Sequence, residues 1–361
     1  MHESLAVTCG QLIIGGFEGT TLPSSYARAL EKGERGGAIL FRRNLPSSLE
    51  DLARLNAAIV AASRSDLPPL IGVDQEGGRV ARIGAPALRV PPMQTLATLG
   101  DPAFVERVAT CVATELATLG FTTCFAPVLD VHSHPQNPVI GDRSFGTDAA
   151  LVARYAVAFV AGLQNAGIFA CGKHFPGHGD THVDSHFDLP VIAHERARLD
   201  AVELVPFRAA AVAGIEAMMT AHVVVSKIDP DVPATLSHAI CTELLRGELG
   251  FRGVLICDDL EMKAVADRFP IEESAVRAIS AGCDLLLVCS DEALQTRAHD
   301  ALVRRAEKDT TFRARCEEAF ARSLALRRRF PPRPTPSSVA SVVGGEASLA
   351  MARELASKCA T

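Results

Sequence analysis

A single (β/α)8 barrel is the fold this chain predicts, and two observations predict it. Eight short apolar runs alternate with amphipathic stretches from Gln11 to Lys308, and ionisable residues stand at or near the ends of most of the runs. The runs are Gln11 to Gly16, Gly37 to Phe41, Leu70 to Asp74, Phe125 to Val131, Ile168 to His174, Ala217 to Val225, Gly253 to Asp258 and Asp284 to Cys289. Between them, Ser48 to Ser63 opens on a Ser with an Asp three residues on. Asp101 to Leu119 has Asp at the cap, Pro102 in the first turn and Gly120 at the stop. Thr147 to Ala166, Glu195 to Ala213, Cys241 to Glu248, Glu272 to Ala281 and Glu292 to Lys308 complete the alternation. One barrel accommodates this order better than two doubly wound domains do.

The polar residues give a separate check. Asp74, Asp130, Lys173, His174, His222 and Asp258 each sit at or near the C-terminal end of a run, where barrel enzymes build their sites. After Phe330, the stretch Pro331 to Pro336 cannot continue a helix, and Glu346 to Lys358 reads as one last helix. The expected organisation is therefore a catalytic barrel over 1–330, with a Pro-rich strap and a C-terminal helix over 331–361 packed on it.

Composition narrows the class. The 361 residues are 48% hydrophobic and 22% charged, ample for a large core, which excludes disordered and collagen-like chains. A formal charge of -6 and a pI near 6.0 provide no general basic surface for nucleic acid or anionic membrane. No apolar stretch approaches the roughly 20 residues that span a bilayer, and the N-terminus lacks the basic region of a secretion signal. The ten cysteines include no C-x-x-C pair, and several lie in apolar runs where a free thiol acts as a small hydrophobe. A reducing cytoplasm and a monomer are the expectations.

The densest chemistry lies at residues 173–186, Lys-His-Phe-Pro-Gly-His-Gly-Asp-Thr-His-Val-Asp-Ser-His, directly after an apolar run. Pro176, Gly177 and Gly179 prevent the four-residue spacing of its histidines from forming one helical face, so it reads as a functional loop at a strand's end.

Five segments, in order along the chain, carry a family resemblance. Ile39-Leu40-Phe41-Arg42-Arg43-Asn44, Val73-Asp74-Gln75-Glu76-Gly77-Gly78-Arg79-Val80, Phe125-Ala126-Pro127-Val128-Leu129-Asp130, Lys173-His174-Phe175-Pro176-Gly177-His178-Gly179 and Asp258-Asp259-Leu260-Glu261-Met262 together resemble glycoside hydrolase family 3. The tripeptide Asp184-Ser185-His186 is similar to that of the family's β-N-acetylglucosaminidases.

The residues account for such chemistry as follows. Asp258 leaves an apolar run at its end, which suits a carboxylate that attacks an anomeric carbon, although a helix-capping role would explain it too. The family pattern sets the nucleophile four residues before a Met, and Met262 selects Asp258 over Asp259. No second carboxylic acid is evident. His186 is the better acid/base, because imidazole donates and accepts protons near neutral pH, and Asp184 two residues earlier can hold its ring. The resemblance implies that Asp74, Arg82, Arg143, Lys173 and His174 bind the sugar. Glu76, Arg79, Asp130, His178, Asp180 and His222 are expected to orient those groups or order loops, with Asp130 also placed to contact substrate. Met218 and Met219 are core.

The implied activity is retaining removal of terminal, non-reducing β-linked N-acetylglucosamine from anhydro-muropeptide fragments of the cell wall, without cofactor or metal. Larger family members continue into a second domain, from which related β-glucosidases take their acid/base Glu; this chain is expected to supply its own. Rival readings are a family 3 β-glucosidase or a β-N-acetylglucosaminide phosphorylase. More remote are a zinc-dependent barrel hydrolase, for which His132-Ser133-His134 offers a His-x-His, and a sugar-binding barrel without catalysis.

Overall fold

The computed structural model describes residues 3–181, 189–334 and 338–360. Its central sheet consists of eight strands: β1 (Ile13–Gly15), β2 (Gly37–Leu40), β3 (Leu70–Val73), β4 (Thr123–Cys124), β5 (Phe169–Phe175), β6 (Ala217–Thr220), β7 (Val254–Ile256) and β8 (Leu286–Val288). Each pairs in parallel with its neighbour in sequence, and β8 pairs in parallel with β1. Between β7 and β8 the wall closes through a parallel bridge at Ile256 and Leu285, with Cys257 N–H donating to Leu285 O at 2.9 Å. The expected (β/α)8 barrel is thus the architecture observed.

Alternate strand residues point inward. Ile14, Ile39, Phe169, Met219, Ile256 and Leu287 fill the barrel interior, while Ile13, Leu40, Ile71 and Met218 pack outward against the helices. Local signals place the helices well. Ser48 Oγ accepts from Asp51 N–H at the start of Leu49–Ala62, and Asp101 caps Pro102–Thr118 through Phe104 N–H.

Four expectations change. The regular part of the fourth strand is Thr123–Cys124; beyond it the run from Phe125 to Val131 still bonds to Val73 O, Cys171 N–H and Lys173 and forms an isolated bridge from Val128 to Lys173, but Pro127 brings no N–H and the ladder is interrupted. The sixth run breaks after Thr220, and Val224–Val225 pairs instead with Val191–Ile192. Glu195 to Ala213 is two helices, Arg196–Ala201 and Val205–Val212, the second starting around Pro206. A further helix, Thr310–Arg329, was not anticipated.

That helix closes the N-terminal end of the barrel. Its Leu326 packs into the interior cluster and Phe330 meets Phe169 edge-on. Between them Arg327 is 1% exposed and donates to Gln11 Oε1, Gly36 O and Pro68 O, just ahead of β1, β2 and β3. Beyond it, the helix Glu346–Cys359 lies against Pro102–Thr118, where the Glu115 carboxylate accepts from Gly344 N–H and the Ser348 hydroxyl.

The same end of the barrel holds a buried charge cluster. Asp284, fully buried ahead of β8, pairs with Arg246, Arg315 and Arg322, each at 2.6 Å. Asp284→Ala takes the shared buried carboxylate from three guanidinium groups, which keep only Glu318 and backbone carbonyls as partners. A loss of about 3–5 kcal/mol in urea unfolding is expected, with the kinetics of the surviving folded enzyme unchanged. A change within about 0.5 kcal/mol would show the cluster to be energetically idle.

Candidate active site

At the opposite, C-terminal end the strands surround a cavity of about 330 Å³. Asp74 follows β3 directly, and the chain then reverses through a short hairpin, Gln75–Gly77 with Val80–Ala81. Gly78 takes φ 53° in the turn, a conformation that suits a residue without Cβ. The buried Gln75 amide accepts from Arg82 N–H and Ile83 N–H and donates to Ile83 O, which sets Arg82 back over Asp74.

A ladder of alternating charge results. Arg82 Nη2 donates to Asp74 Oδ2 at 3.0 Å, and Lys173 Nζ donates to Asp74 Oδ1 at 2.8 Å. Lys173 Nζ also lies 2.7 Å from Glu76 Oε1, and Arg143 grips Glu76 through two bonds of 2.8 Å. Three cations face two carboxylates, so the ladder holds one positive charge in excess. Burial alone would push the Asp74 and Glu76 carboxyls up. Lys173 and Arg82 overcome it for Asp74, and Arg143 and Lys173 for Glu76, leaving Asp74 well below the carboxylate range and Glu76 at about 2. Burial likewise disfavours the charged Lys173, yet Asp74 and Glu76 raise it above its ordinary value.

His174 is fixed from behind. Asp130 is fully buried, and its carboxylate accepts from His174 N–H at 3.2 Å and His178 N–H at 2.6 Å while meeting His174 Nδ1 at 2.7 Å. These bonds occupy Asp130, so the expectation that it also contacts substrate gives way to an orienting position. With Nδ1–H on Asp130, His174 keeps Nε2 for the cavity. His178 is held at about 4, chiefly by burial and then by His174, and is neutral at neutral pH.

Asp258 stands two residues past β7, across the barrel from Asp74, with Oδ1 accepting from Asp259 N–H at 2.8 Å. Burial pushes its carboxyl up, but His222, His174 and Lys173 together bring it below its ordinary value. Asp259 differs. Its Oδ1 accepts from Glu261 N–H and Cys289 N–H, and burial, Glu261 and Asp258 push it up to about 7.

Asp74, Arg82, Arg143, Lys173, His174 and Asp258 therefore all border one cavity, while His222 lies buried behind the β7 end. Asp184 and His186 lie outside the described residues. On the approach to them, Asn137 Nδ2 donates to His178 O and Thr181 O, and Asp180 accepts from the Ser133 hydroxyl and meets His194. Among the described residues no group of three or more His, Cys, Asp or Glu side chains could hold a metal ion, and no helix is long and apolar enough to cross a membrane.

Two contributors were under-read in the sequence. Glu76 joins Lys173 to Arg143, a role that only the fold reveals. Asn137 accepts from Val139 N–H and Ile140 N–H and so shapes the turn that presents Arg143; the Asn-Pro dipeptide was the available signal. Glu76→Gln replaces an acceptor-only carboxylate with an amide that cannot serve both cations. It is expected to lower kcat/KM about 10- to 100-fold. Because the folded-state pKa of Glu76 is depressed, its stabilisation is complete above about pH 4.5 and is lost as pH falls toward about 2. Acid unfolding of the Gln variant should be flatter across that window, and parallel curves would remove Glu76 from the account.

Residues 5–326 match the model of the glycosyl hydrolase family 3 N terminal domain. The chain belongs to this family. A β-hexosaminidase from Alkalilimnicola ehrlichii is 43% identical over 287 residues, covering 78% of this chain and 81% of its own. A family 3 β-N-acetylglucosaminidase from Paenibacillus superposes with a TM-score of 0.94 at 38% identity, covering 99% of this chain and 69% of the other. NagZ from Neisseria gonorrhoeae, solved with N-trifluoroacetyl-D-glucosamine, superposes with a TM-score of 0.79 at 31% identity, covering 96% and 98%. This family 3 chain is a glycoside hydrolase of the β-N-acetylhexosaminidase type.

Proposed function

We propose that the chain is a retaining exo-β-N-acetylglucosaminidase acting on anhydro-muropeptide fragments of the cell wall in the bacterial cytoplasm. Asp258 is the nucleophile; His186, held by Asp184, is the acid and then the base. The observation that carries this reading is how the described carboxylates of the cavity are committed. Asp74 and Glu76 are tied to cations and stay ionised, and Asp259 is turned onto two backbone N–H groups. Asp258 has one bond to the adjacent N–H and is kept anionic by cations around it. None of these four is arranged to protonate a leaving oxygen across the scissile bond from Asp258, which supports an acid from the segment after Thr181.

A catalytic cycle follows. The Asp258 carboxylate attacks C1 as His186 gives its proton to the departing oxygen. Water, deprotonated by the same imidazole, then attacks C1 and frees Asp258. Because β3 and β7 face each other across the barrel, a sugar whose C1 meets Asp258 directs its far edge toward Asp74 and Arg82. There the ladder offers donors and acceptors to its hydroxyls, which is the arrangement an exo-acting site needs. A neutral acylated glucosamine is also the ligand reported for the Neisseria relative.

The test compares three substrates: chromogenic β-N-acetylglucosaminide, the matching β-glucoside, and a purified anhydro-muropeptide. Preference for the first over the second, with N-acetylglucosamine released from the third, is expected. Preference for the glucoside would sink the substrate assignment, and an inert muropeptide would sink the cell-wall role.

A further inference from the structure

At the end of β6 the side chain of His222 is fully buried, and both ring nitrogens meet a partner. Nε2 lies 2.9 Å from the Asp259 carbonyl oxygen, and Nδ1 lies 2.8 Å from the Thr235 hydroxyl. A carbonyl only accepts, so Nε2 carries a proton. The Thr235 hydroxyl has a single proton and three neighbours: His222 Nδ1, the Thr220 hydroxyl at 2.8 Å and the Ala221 carbonyl at 3.1 Å. Among the described residues, Ala221 O accepts from Thr235 alone. Leaving that carbonyl unserved inside the protein is costly. If Thr235 donates to Ala221 O, its two lone pairs receive Thr220 O–H and His222 Nδ1–H, and every group is satisfied. Both ring nitrogens then carry protons.

The other end of this chain of bonds reaches the proposed nucleophile. The peptide whose carbonyl His222 holds also donates Leu260 N–H to Leu287 O at 3.0 Å. Backbone just past Asp258 and Asp259 is therefore clamped from β6 on one side and β8 on the other. We infer that His222, wired as an imidazolium by Thr235, is a positioning residue for Asp258 and its fixed counter-charge. This inference rests on Asp258 being the nucleophile.

The charged neighbours are consistent with that role. Asp258 and Asp259 face the ring from the β7 loop, and Lys173 and His174 act on the same carboxylate from β5. The segment Ala234–Leu236 brings a hydroxyl and no charge. Of the side chains that draw the Asp258 carboxyl down, His222 contributes most when its ring is charged, ahead of His174 and Lys173. A neutral ring would satisfy the Asp259 carbonyl equally well but would supply no charge, and that difference can be measured.

His222→Gln keeps an N–H donor for Asp259 O without a charge. It is expected to lower kcat about tenfold or more with little change in KM, equally for good and poor leaving groups, and to move the acidic limb of kcat/KM to higher pH. Thr235→Val should move that limb in the same direction, and Thr235→Ser should restore it. In the wild-type enzyme with ¹⁵N-labelled histidine, the ring signals absent from His222→Gln should be those of a doubly protonated imidazole at neutral pH. A neutral Nε2–H tautomer, or an acidic limb that stays in place in His222→Gln, overturns the inference. If His222→Gln does not fold, the Thr235 pair and the spectrum assigned through Thr235→Val decide alone. Fluorosugar labelling separates this failure from failure of the functional reading: label on another residue removes Asp258, whereas label on Asp258 with an unmoved limb removes only the role of His222.

Discussion

Asp258→Ala is expected to yield a folded protein that has lost several orders of magnitude of kcat, while Asp259→Ala loses far less. The two neighbours differ physically. Asp258 ends in a cavity whose cations keep it anionic, whereas Asp259 uses its carboxylate on two backbone N–H groups and sits at about 7. A 2-deoxy-2-fluoro glycosyl fluoride should label the peptide containing Asp258, and product NMR should show the β-anomer first. The pH profile gives a further check. Since the Asp258 carboxyl lies below its ordinary value and must be ionised to attack, the acidic limb belongs below the usual carboxylate range. The alkaline limb belongs to the acid/base, and for an imidazole it begins near pH 6.5. Label on another residue, or an initial α-anomer, defeats the assignment.

His186→Ala should cost about 10²- to 10⁴-fold for substrates with poor leaving groups and much less for activated aryl glycosides, whose departure needs little protonation. Asp184→Ala should follow the same pattern more mildly, and the double variant should be scarcely worse than His186→Ala alone, as the proposal that the two act as one device requires. Added azide should restore turnover of activated substrates by replacing water at the second step. Losses that add independently, or that ignore the leaving group, would place Asp184 and His186 outside proton transfer.

What the sequence made legible was local or periodic. Apolar runs located most of the strands, and side-chain caps such as Ser48 and Asp101 act within three residues, so the beginnings of those helices could be read directly. The cavity's first ring was legible because Asp74, Lys173, His174 and Asp258 follow apolar runs, and a polar residue leaving such a run must find solvent or a site. Failures were non-local. Phe125 to Val131 has the composition of a strand, but Pro127, with no N–H to give, interrupts its ladder. The helix Thr310–Arg329 escaped notice because it carries much charge and its burial comes from the barrel floor, which no window of sequence contains. Glu76 looked like an orienting residue because its two cations stand 67 and 97 positions away in the chain.

Arg327 and Leu326 carry a consequence for how the molecule comes into being. The carbonyls and amide that Arg327 holds belong to the entrances of the first three strands of the barrel, which are synthesised before the helix that carries it. Their partner is made about 260 to 316 residues later. During translation the barrel floor must therefore wait, with the inward faces of β1 and β2 open to water, until the helix Thr310–Arg329 has left the ribosome and can seal it. Ring closure between β1 and β8 waits on almost the same moment. The topology makes the barrel's completion a late event, and a nascent chain halted before residue 327 would expose apolar surface that the finished enzyme buries.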